Sequence, residues 1–108
     1  MKIEKYDREI LRMYMNLPFP SVLYDGEYEY ITDFSYTLQG YCDRLLSNLS
    51  IEDYVLDERL EFSINQEFEE AIKTFGDSYE LLRYYRMYLL VKEILRKHVM
   101  QSRRGESK

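Results

Sequence analysis

Two side chains of the 108-residue chain could support nucleophilic or proton-transfer chemistry, the single cysteine Cys42 and the single histidine His98. A cysteine nucleophile needs a base beside it and donors for the oxyanion that forms in the reaction. Cys42 lies in an apolar series with Leu38 and Leu45, which is typical of a buried and inert thiol. His98 follows basic residues near the end of a predicted helix, so we expect a partly exposed residue whose protonated form is disfavoured.

Acidic residues recur at three-residue spacing in two places, Glu58 with Glu61 and Glu67 with Glu70. Di-metal sites in helical bundles use this spacing but include a histidine in each pair. No histidine occupies that position here, and the four acids lie largely off the apolar face, so we expect a solvated acidic surface. The chain also lacks a Gly-rich phosphate loop, a Cys-rich zinc site and a catalytic triad. The sequence therefore predicts no enzymatic activity, no metal and no cofactor.

The composition predicts one globular domain. Apolar residues make up 45% of the chain, glycine and proline are scarce, and tyrosine is unusually frequent with twelve copies. Tyrosine suits half-buried positions and interfaces, so the composition leaves open whether these side chains belong to the core or to an interface. A charged start, a single cysteine and no long apolar run favour a cytoplasmic location with no membrane contact. We expect a helical domain over residues 1–101 and a flexible basic tail over residues 102–108.

Hydrophobic periodicity predicts an all-α fold, a small bundle of four to five helices. Helices are expected over residues 4–16, 33–49, 58–75 and 79–101. The last helix has an apolar face so wide that it is either the centre of the bundle or presents a second face to a partner. Between the first two helices, the Asp25-Gly26 dipeptide favours a short β-hairpin over residues 22–31, with a plain loop as the alternative.

Charge is divided unevenly along the chain, whose formal net charge is −5. Residues 51–80 contain ten acids and two bases, whereas residues 81–108 contain eight bases and two acids. Gly76 fits the left-handed position that ends a helix, and a short turn there predicts an antiparallel hairpin of the last two helices. The hairpin would place Arg83 near Glu69 and Glu70, Arg86 near Glu67, Lys92 near Glu61, and Arg96 and Lys97 near Asp57. Most basic residues of the last helix would then form ion pairs with acids of the helix before it.

The acids that this hairpin leaves unpaired suggest a function. A small, acidic, tyrosine-rich chain without a catalytic set fits a protein that binds a basic protein partner and blocks it. A toxin nuclease is the candidate partner, as in the bacterial immunity and inhibitor proteins. The predicted partner-binding residues are Glu27, Tyr28, Glu29, Tyr30, Glu52, Asp53 and Tyr54.

Two alternatives use the last helix. In the first, the chain is a self-associating regulatory or scaffold protein, and residues 79–101 form the seam of a homodimer. The predicted dimer face consists of Tyr84, Tyr85, Tyr88, Val91 and Leu95. In the second, basic residues of that helix bind RNA, with aromatics of the Arg83-Tyr84-Tyr85-Arg86 segment stacking on bases. The acidic composition, with a pI near 4.9, weighs against nucleic-acid binding.

Overall fold

The computed structural model describes residues 3–24, 27–51 and 57–106, and the side chains of these residues up to Val99. Four α-helices follow one another along the chain. They are α1 (Lys5–Met15), α2 (Glu29–Leu46), α3 (Glu58–Thr74) and α4 (Tyr79–Glu106), and a short 3-10 helix (Ser21–Leu23) precedes α2. The predicted all-α bundle is confirmed, and the described residues contain no strand.

Helix α4 is the central helix of the bundle. It packs against α1, α2 and α3. Its buried side chains include Leu81, Tyr84, Tyr88, Val91 and Leu95, which are at most 3% exposed. The width of its apolar face therefore reflects three neighbouring helices within the same chain.

The buried face of α1 contains a carboxylate, Asp7, beside apolar residues. Leu11 and Tyr14 are fully buried, whereas Tyr6 and Met13 are largely exposed. Asp7 lies on the buried side of the helix, where its carboxylate accepts a hydrogen bond of 2.6 Å from Lys97 of α4. A buried carboxylate is tolerated there because the lysine ammonium compensates its charge.

The expected hairpin over residues 22–31 is wrong. Ser21–Leu23 form the 3-10 helix, and α2 begins at Glu29, while the turn residues Asp25 and Gly26 lie outside the described part of the chain. The alternation of Tyr28 to Ile31 resembles a strand locally. A contact that is remote in sequence stabilises the helical alternative, because Glu67 of α3 accepts the backbone N–H of Ile31.

The carboxyl-terminal end of α2 is closed by Asn48, which has a φ of 61°. The amide of Leu49 donates to the carbonyl of Arg44 and the amide of Asn48 donates to that of Leu45. This is the Schellman arrangement, with asparagine in the left-handed position. Arg8 of α1 donates to the Asn48 side chain at 3.2 Å and thereby joins this end of α2 to α1.

The connection between α3 and α4 is short, as predicted, but Gly76 does not adopt the left-handed conformation. Glycine is needed there for space, because a Cβ atom would lie 3.0 Å from the carbonyl oxygen of Ile72. Helix α4 then begins with Ser78 as its cap, whose hydroxyl accepts the Leu81 N–H at 3.3 Å.

The predicted charge pairs of the α3–α4 hairpin are mostly wrong. Glu61 pairs with Arg96, one helical turn beyond the expected Lys92. Lys92 is instead buried, with its ammonium 5.4 Å from the centre of the Tyr88 ring. Lys97 pairs with Asp7 of α1.

Asp57, Arg83 and Arg86 also do not form the ion pairs that the hairpin predicted. Asp57 caps α3, where its carboxylate accepts the Leu60 N–H at 2.8 Å. Arg83 and Arg86 form no ion pair with any carboxylate in the described part of the chain.

Helix α4 extends to Glu106, so the backbone is helical through most of the segment predicted to be a flexible tail over residues 102–108. None of the helices in the described residues is long and apolar enough to cross a membrane.

Candidate protein-binding face

The predicted partner-binding residues occupy different environments. Glu27 and Glu29 are exposed, and Tyr30 is 51% exposed. Glu52, Asp53 and Tyr54 lie outside the described residues. The acidic and aromatic character predicted for this region is therefore present at the surface, but on a helix and not on a hairpin.

Tyr28 does not belong to the exposed group. Its side chain is 6% exposed, and its carbonyl accepts hydrogen bonds from the amide and the hydroxyl of Thr32. Tyr28 precedes the first residue of α2, so its ring packs into the core where the helix begins. Tyr28 therefore contributes to the core and little to the exposed surface of this region.

Five exposed residues of α2 lie on one face of the helix. Glu29, Asp33, Tyr36, Gly40 and Asp43 are all exposed, and they follow one another at intervals of four and three residues. At about 3.6 residues per turn, this spacing keeps them within an arc of about 80°. We call these five residues the α2 outer face. It lies opposite the buried residues of the helix, which include Phe34, Leu38, Cys42 and Leu45.

The α2 outer face is acidic. It carries three carboxylates, and Glu27 adds a fourth just before the helix. The only base of α2 is Arg44, whose Nε donates to the carbonyl oxygen of Ser50 at 2.8 Å. A basic partner would therefore meet little repulsion along this face.

Tyrosine borders the acidic positions. Tyr36 lies within the face and is 73% exposed, and Tyr30, which is 51% exposed, follows Glu29 in the first turn of the helix. Gly40 occupies the middle of the face, where a Cβ atom would meet nothing within 4 Å. Gly40 therefore faces open space in the described part of the chain.

The two ends of α2 are held by contacts with other helices. The Glu67 carboxylate accepts the Ile31 N–H at 2.9 Å, and Arg8 donates to the Leu46 carbonyl at 3.1 Å. The first contact satisfies a first-turn amide and places negative charge at the positive end of the helix dipole. Both ends of the helix that carries the α2 outer face are therefore hydrogen-bonded to side chains of other helices.

The predicted dimer face lies inside the bundle. Tyr84, Tyr88, Val91 and Leu95 are at most 3% exposed, and Tyr85 is half-buried with its ring 4.8 Å from that of Phe68. Tyr84 is also the partner of Tyr14 in a buried hydroxyl hydrogen bond of 2.9 Å. These side chains pack the core of one chain and are not available as a seam between two.

Up to Val99, where the side chains of α4 are described, its basic residues do not form a continuous surface for nucleic acid. Lys92 is buried and Arg96 is paired with Glu61, while Arg83 and Arg86 are exposed near the start of the helix. Tyr84, expected to stack on bases, is buried. The side chains of Arg103 and Arg104 lie outside the described part of the structure.

The two candidates for nucleophilic or proton-transfer chemistry are both buried. Burial raises the pKa of the Cys42 thiol to about 12, so the thiolate is scarce near neutral pH. His98 is 3% exposed, which corrects the expectation of a partly exposed residue. Its pKa is lowered by burial first and by Lys97 second. Within the described residues, no group of three or more His, Cys, Asp or Glu side chains could hold a metal ion.

Comparison of the chain with protein-family models, curated proteins and solved structures finds no match.

Proposed function

We propose that this chain is a non-enzymatic binding protein that docks a basic protein on the α2 outer face and blocks it. The proposal rests on one observation: three carboxylates and an exposed tyrosine lie on the same face of α2. Both ends of this helix are hydrogen-bonded to side chains of other helices. Glu27 and Tyr30 extend this surface at its amino-terminal end.

The charge of the face supports a basic partner. Acidic residues arranged in one direction along a helix produce a field that attracts a positively charged surface and raises the rate of association. The α2 outer face contains no base, and the exposed Arg44 opposes this field only at its carboxyl-terminal end, beside Asp43.

The tyrosines support a protein partner in particular. Tyr36 and Tyr30 have large exposed rings with a hydroxyl at the tip, and such side chains often dominate the binding energy of protein interfaces. A partner that buries these rings would remove apolar area from water while the carboxylates pair with its bases. Association would then depend on both apolar burial and charge.

A nuclease toxin is the partner class that this chemistry fits best. The substrate site of a nuclease must attract phosphate, so it is basic and can be covered by a surface of carboxylates. The chain would then act as an immunity or inhibitor protein in the bacterial cytoplasm, where an unblocked nuclease would damage nucleic acid. This function requires no catalytic residue and no cofactor.

The proposal is tested with two charge-reversal variants that change net charge by the same amount. Asp33→Lys with Asp43→Lys alters the α2 outer face, and Glu69→Lys with Glu70→Lys alters exposed positions of α3. None of the four positions lies in the first turn of its helix. Neither pair should therefore harm its helix through the helix dipole.

The wild type and both variants are immobilised, and the proteins that they capture from bacterial extracts are quantified by mass spectrometry. We expect a basic protein that is retained by the wild type and the α3 variant, is lost by the α2 variant, and has nuclease activity that the wild type inhibits. Capture that does not distinguish the two variants, or a discriminated partner that is acidic, would overturn the proposal.

A further inference from the structure

A concavity lies between the carboxyl-terminal end of α1 and the first turns of α4, away from the α2 outer face. Its volume is about 360 Å³. It is lined by Arg12, Met13, Asn16, Leu17, Pro18 and Arg83. Small-molecule sites in proteins typically have volumes of about 300–1,000 Å³, so this space is large enough for a small ligand.

Two arginines from different helices line this concavity, and no acidic residue does. Arg12 and Arg83 are exposed, and neither forms an ion pair with any acid in the described part of the chain. Glu80, one turn before Arg83, directs its carboxylate to the amide and hydroxyl of Ser21 at 3.4 Å. In a chain with more acids than bases, this is a local excess of positive charge without an internal partner.

The backbone around the concavity is held in place. The amide of Leu17 donates to the Tyr14 carbonyl, and the Asn16 side chain donates to the Arg12 carbonyl at 2.9 Å. The ring of Phe19 then packs edge-on against Tyr84, with ring centres 5.5 Å apart. The segment that carries the lining residues is therefore anchored to the core on either side of Pro18.

The lining also has an apolar part. Met13 is 49% exposed, and Leu17 is half-buried beside Pro18. A ligand with only charged groups would leave this part of the concavity unfilled. A ligand with an apolar body and an anionic group would contact both parts.

We infer that this concavity binds a small organic phosphate. The two guanidinium groups would donate hydrogen bonds to the phosphate oxygens, since their planar arrangement of N–H groups matches an oxyanion. The organic body would lie on Met13 and Leu17. This site is independent of the α2 outer face, because the two surfaces lie on different helices, carry opposite charge and would bind different ligands.

The inference is tested on the full chain with phenyl phosphate, inorganic phosphate and phenol. Binding is measured at low ionic strength by calorimetry and by the shifts of backbone amide signals in nuclear magnetic resonance spectra. We expect saturable binding of phenyl phosphate with shifts at Met13, Asn16 and Leu17, weaker binding of inorganic phosphate, and no binding of phenol.

Single substitutions then locate the site. Arg12→Gln and Arg83→Gln should each weaken phenyl phosphate binding about tenfold or more, because each removes charged hydrogen-bond donors. Arg59→Gln, which removes an exposed arginine of α3, should leave the affinity within about twofold by the same reasoning. The absence of saturable shifts would contradict the proposed site, and so would equal effects of all three substitutions. Inorganic phosphate binding as tightly as phenyl phosphate would overturn the organic ligand.

Discussion

Glu67 of α3 accepts the backbone N–H of Ile31 at the start of α2, over a distance of 2.9 Å and 36 residues of sequence. This contact satisfies one of the amides that a helix leaves without an internal partner, and it does so with a charged acceptor. It stabilises the first turn of α2, which carries Glu29 of the outer face.

Replacing Glu67 with glutamine should destabilise the protein by about 1 kcal/mol, because the charge at the positive end of the α2 dipole is lost. Unfolding in urea, followed by circular dichroism, measures this change. Glu69→Gln is the matched control, since Glu69 is an exposed acid of the same helix. Equal stability of the two variants would show that the Glu67 contact contributes nothing.

The buried pair Tyr14 and Tyr84 should behave as a coupled unit. Their hydroxyls are 2.9 Å apart, and burial raises the pKa of both phenols, so both are protonated at neutral pH. Single phenylalanine substitutions should each cost about 1–3 kcal/mol, because one hydroxyl is left buried without this partner. The double variant should cost less than the sum. Additive costs in this double-mutant cycle would contradict the coupling.

Lys97 should stabilise the bundle through Asp7. The pKa of Lys97 is raised mainly by its hydrogen bond to Asp7, so the stabilisation is complete at neutral pH and is lost as the pH rises above about 10.5. Lys97→Met leaves the buried carboxylate without its cation. It should lower the free energy of unfolding by about 1–2 kcal/mol, less than for a fully buried pair because Lys97 is half-exposed.

The control for Lys97 is Lys73→Met, which removes an exposed lysine of α3. Urea unfolding of both variants near neutral pH compares the two losses. If the Lys73 variant loses as much stability as the Lys97 variant, the Asp7 contact is not the cause.

His98 should make the protein less stable in mild acid. Its pKa is lowered by burial and by Lys97, which outweigh the opposing effects of Asp7 and Glu4. The unfolded chain binds a proton near the ordinary histidine pKa of about 6.5. The free energy of unfolding should therefore fall as the pH is lowered through 6.5 towards the folded-state pKa, and the loss should be complete below it.

Histidine signals in a nuclear magnetic resonance titration give the folded-state pKa of His98 directly. Urea unfolding at about pH 7.5 and about pH 5.5, on either side of the ordinary histidine pKa, gives the stability change. His98→Asn removes the titrating group and should reduce the difference between the two conditions. An unchanged difference would assign the acid sensitivity to the carboxylates.

The positions of the helices could be predicted where the periodicity is local and strong. Ile64, Phe68 and Ala71 recur at helical spacing and are all buried, so α3 was predicted within one residue of its observed bounds. The start of α2 could not be predicted in this way, because the contact that stabilises it comes from Glu67, far along the chain. Local alternation at Tyr28-Glu29-Tyr30-Ile31 resembles a strand without that information.

The prediction of the ion pairs was wrong for a similar reason. Counting positions from Gly76 treats each lysine or arginine as a surface residue, yet Lys92 lies in the core over Tyr88 and Lys97 reaches a different helix. Side-chain direction, and not distance along the hairpin, selects the partner. A sequence pattern gives no access to that direction until all the helices are placed.

The candidate face was found in part. Glu29 and Tyr30 were predicted as contact residues, whereas Asp33, Tyr36 and Asp43 were missed. Their spacing of three and seven residues, opposite Phe34 and Leu38, is visible in the sequence. The helix expected over residues 33–49 already contains these three positions, and only Glu29 depends on the earlier start of α2.

The central claim is that a basic protein binds the α2 outer face, and the affinity of the captured partner for the charge-reversal variants tests it most directly. Dissociation constants are measured over a series of salt concentrations. Asp33→Lys with Asp43→Lys should weaken binding at least about 100-fold and reduce its dependence on salt, whereas Glu69→Lys with Glu70→Lys should weaken it less than about fivefold. Equal affinities of the two variants would contradict the claim.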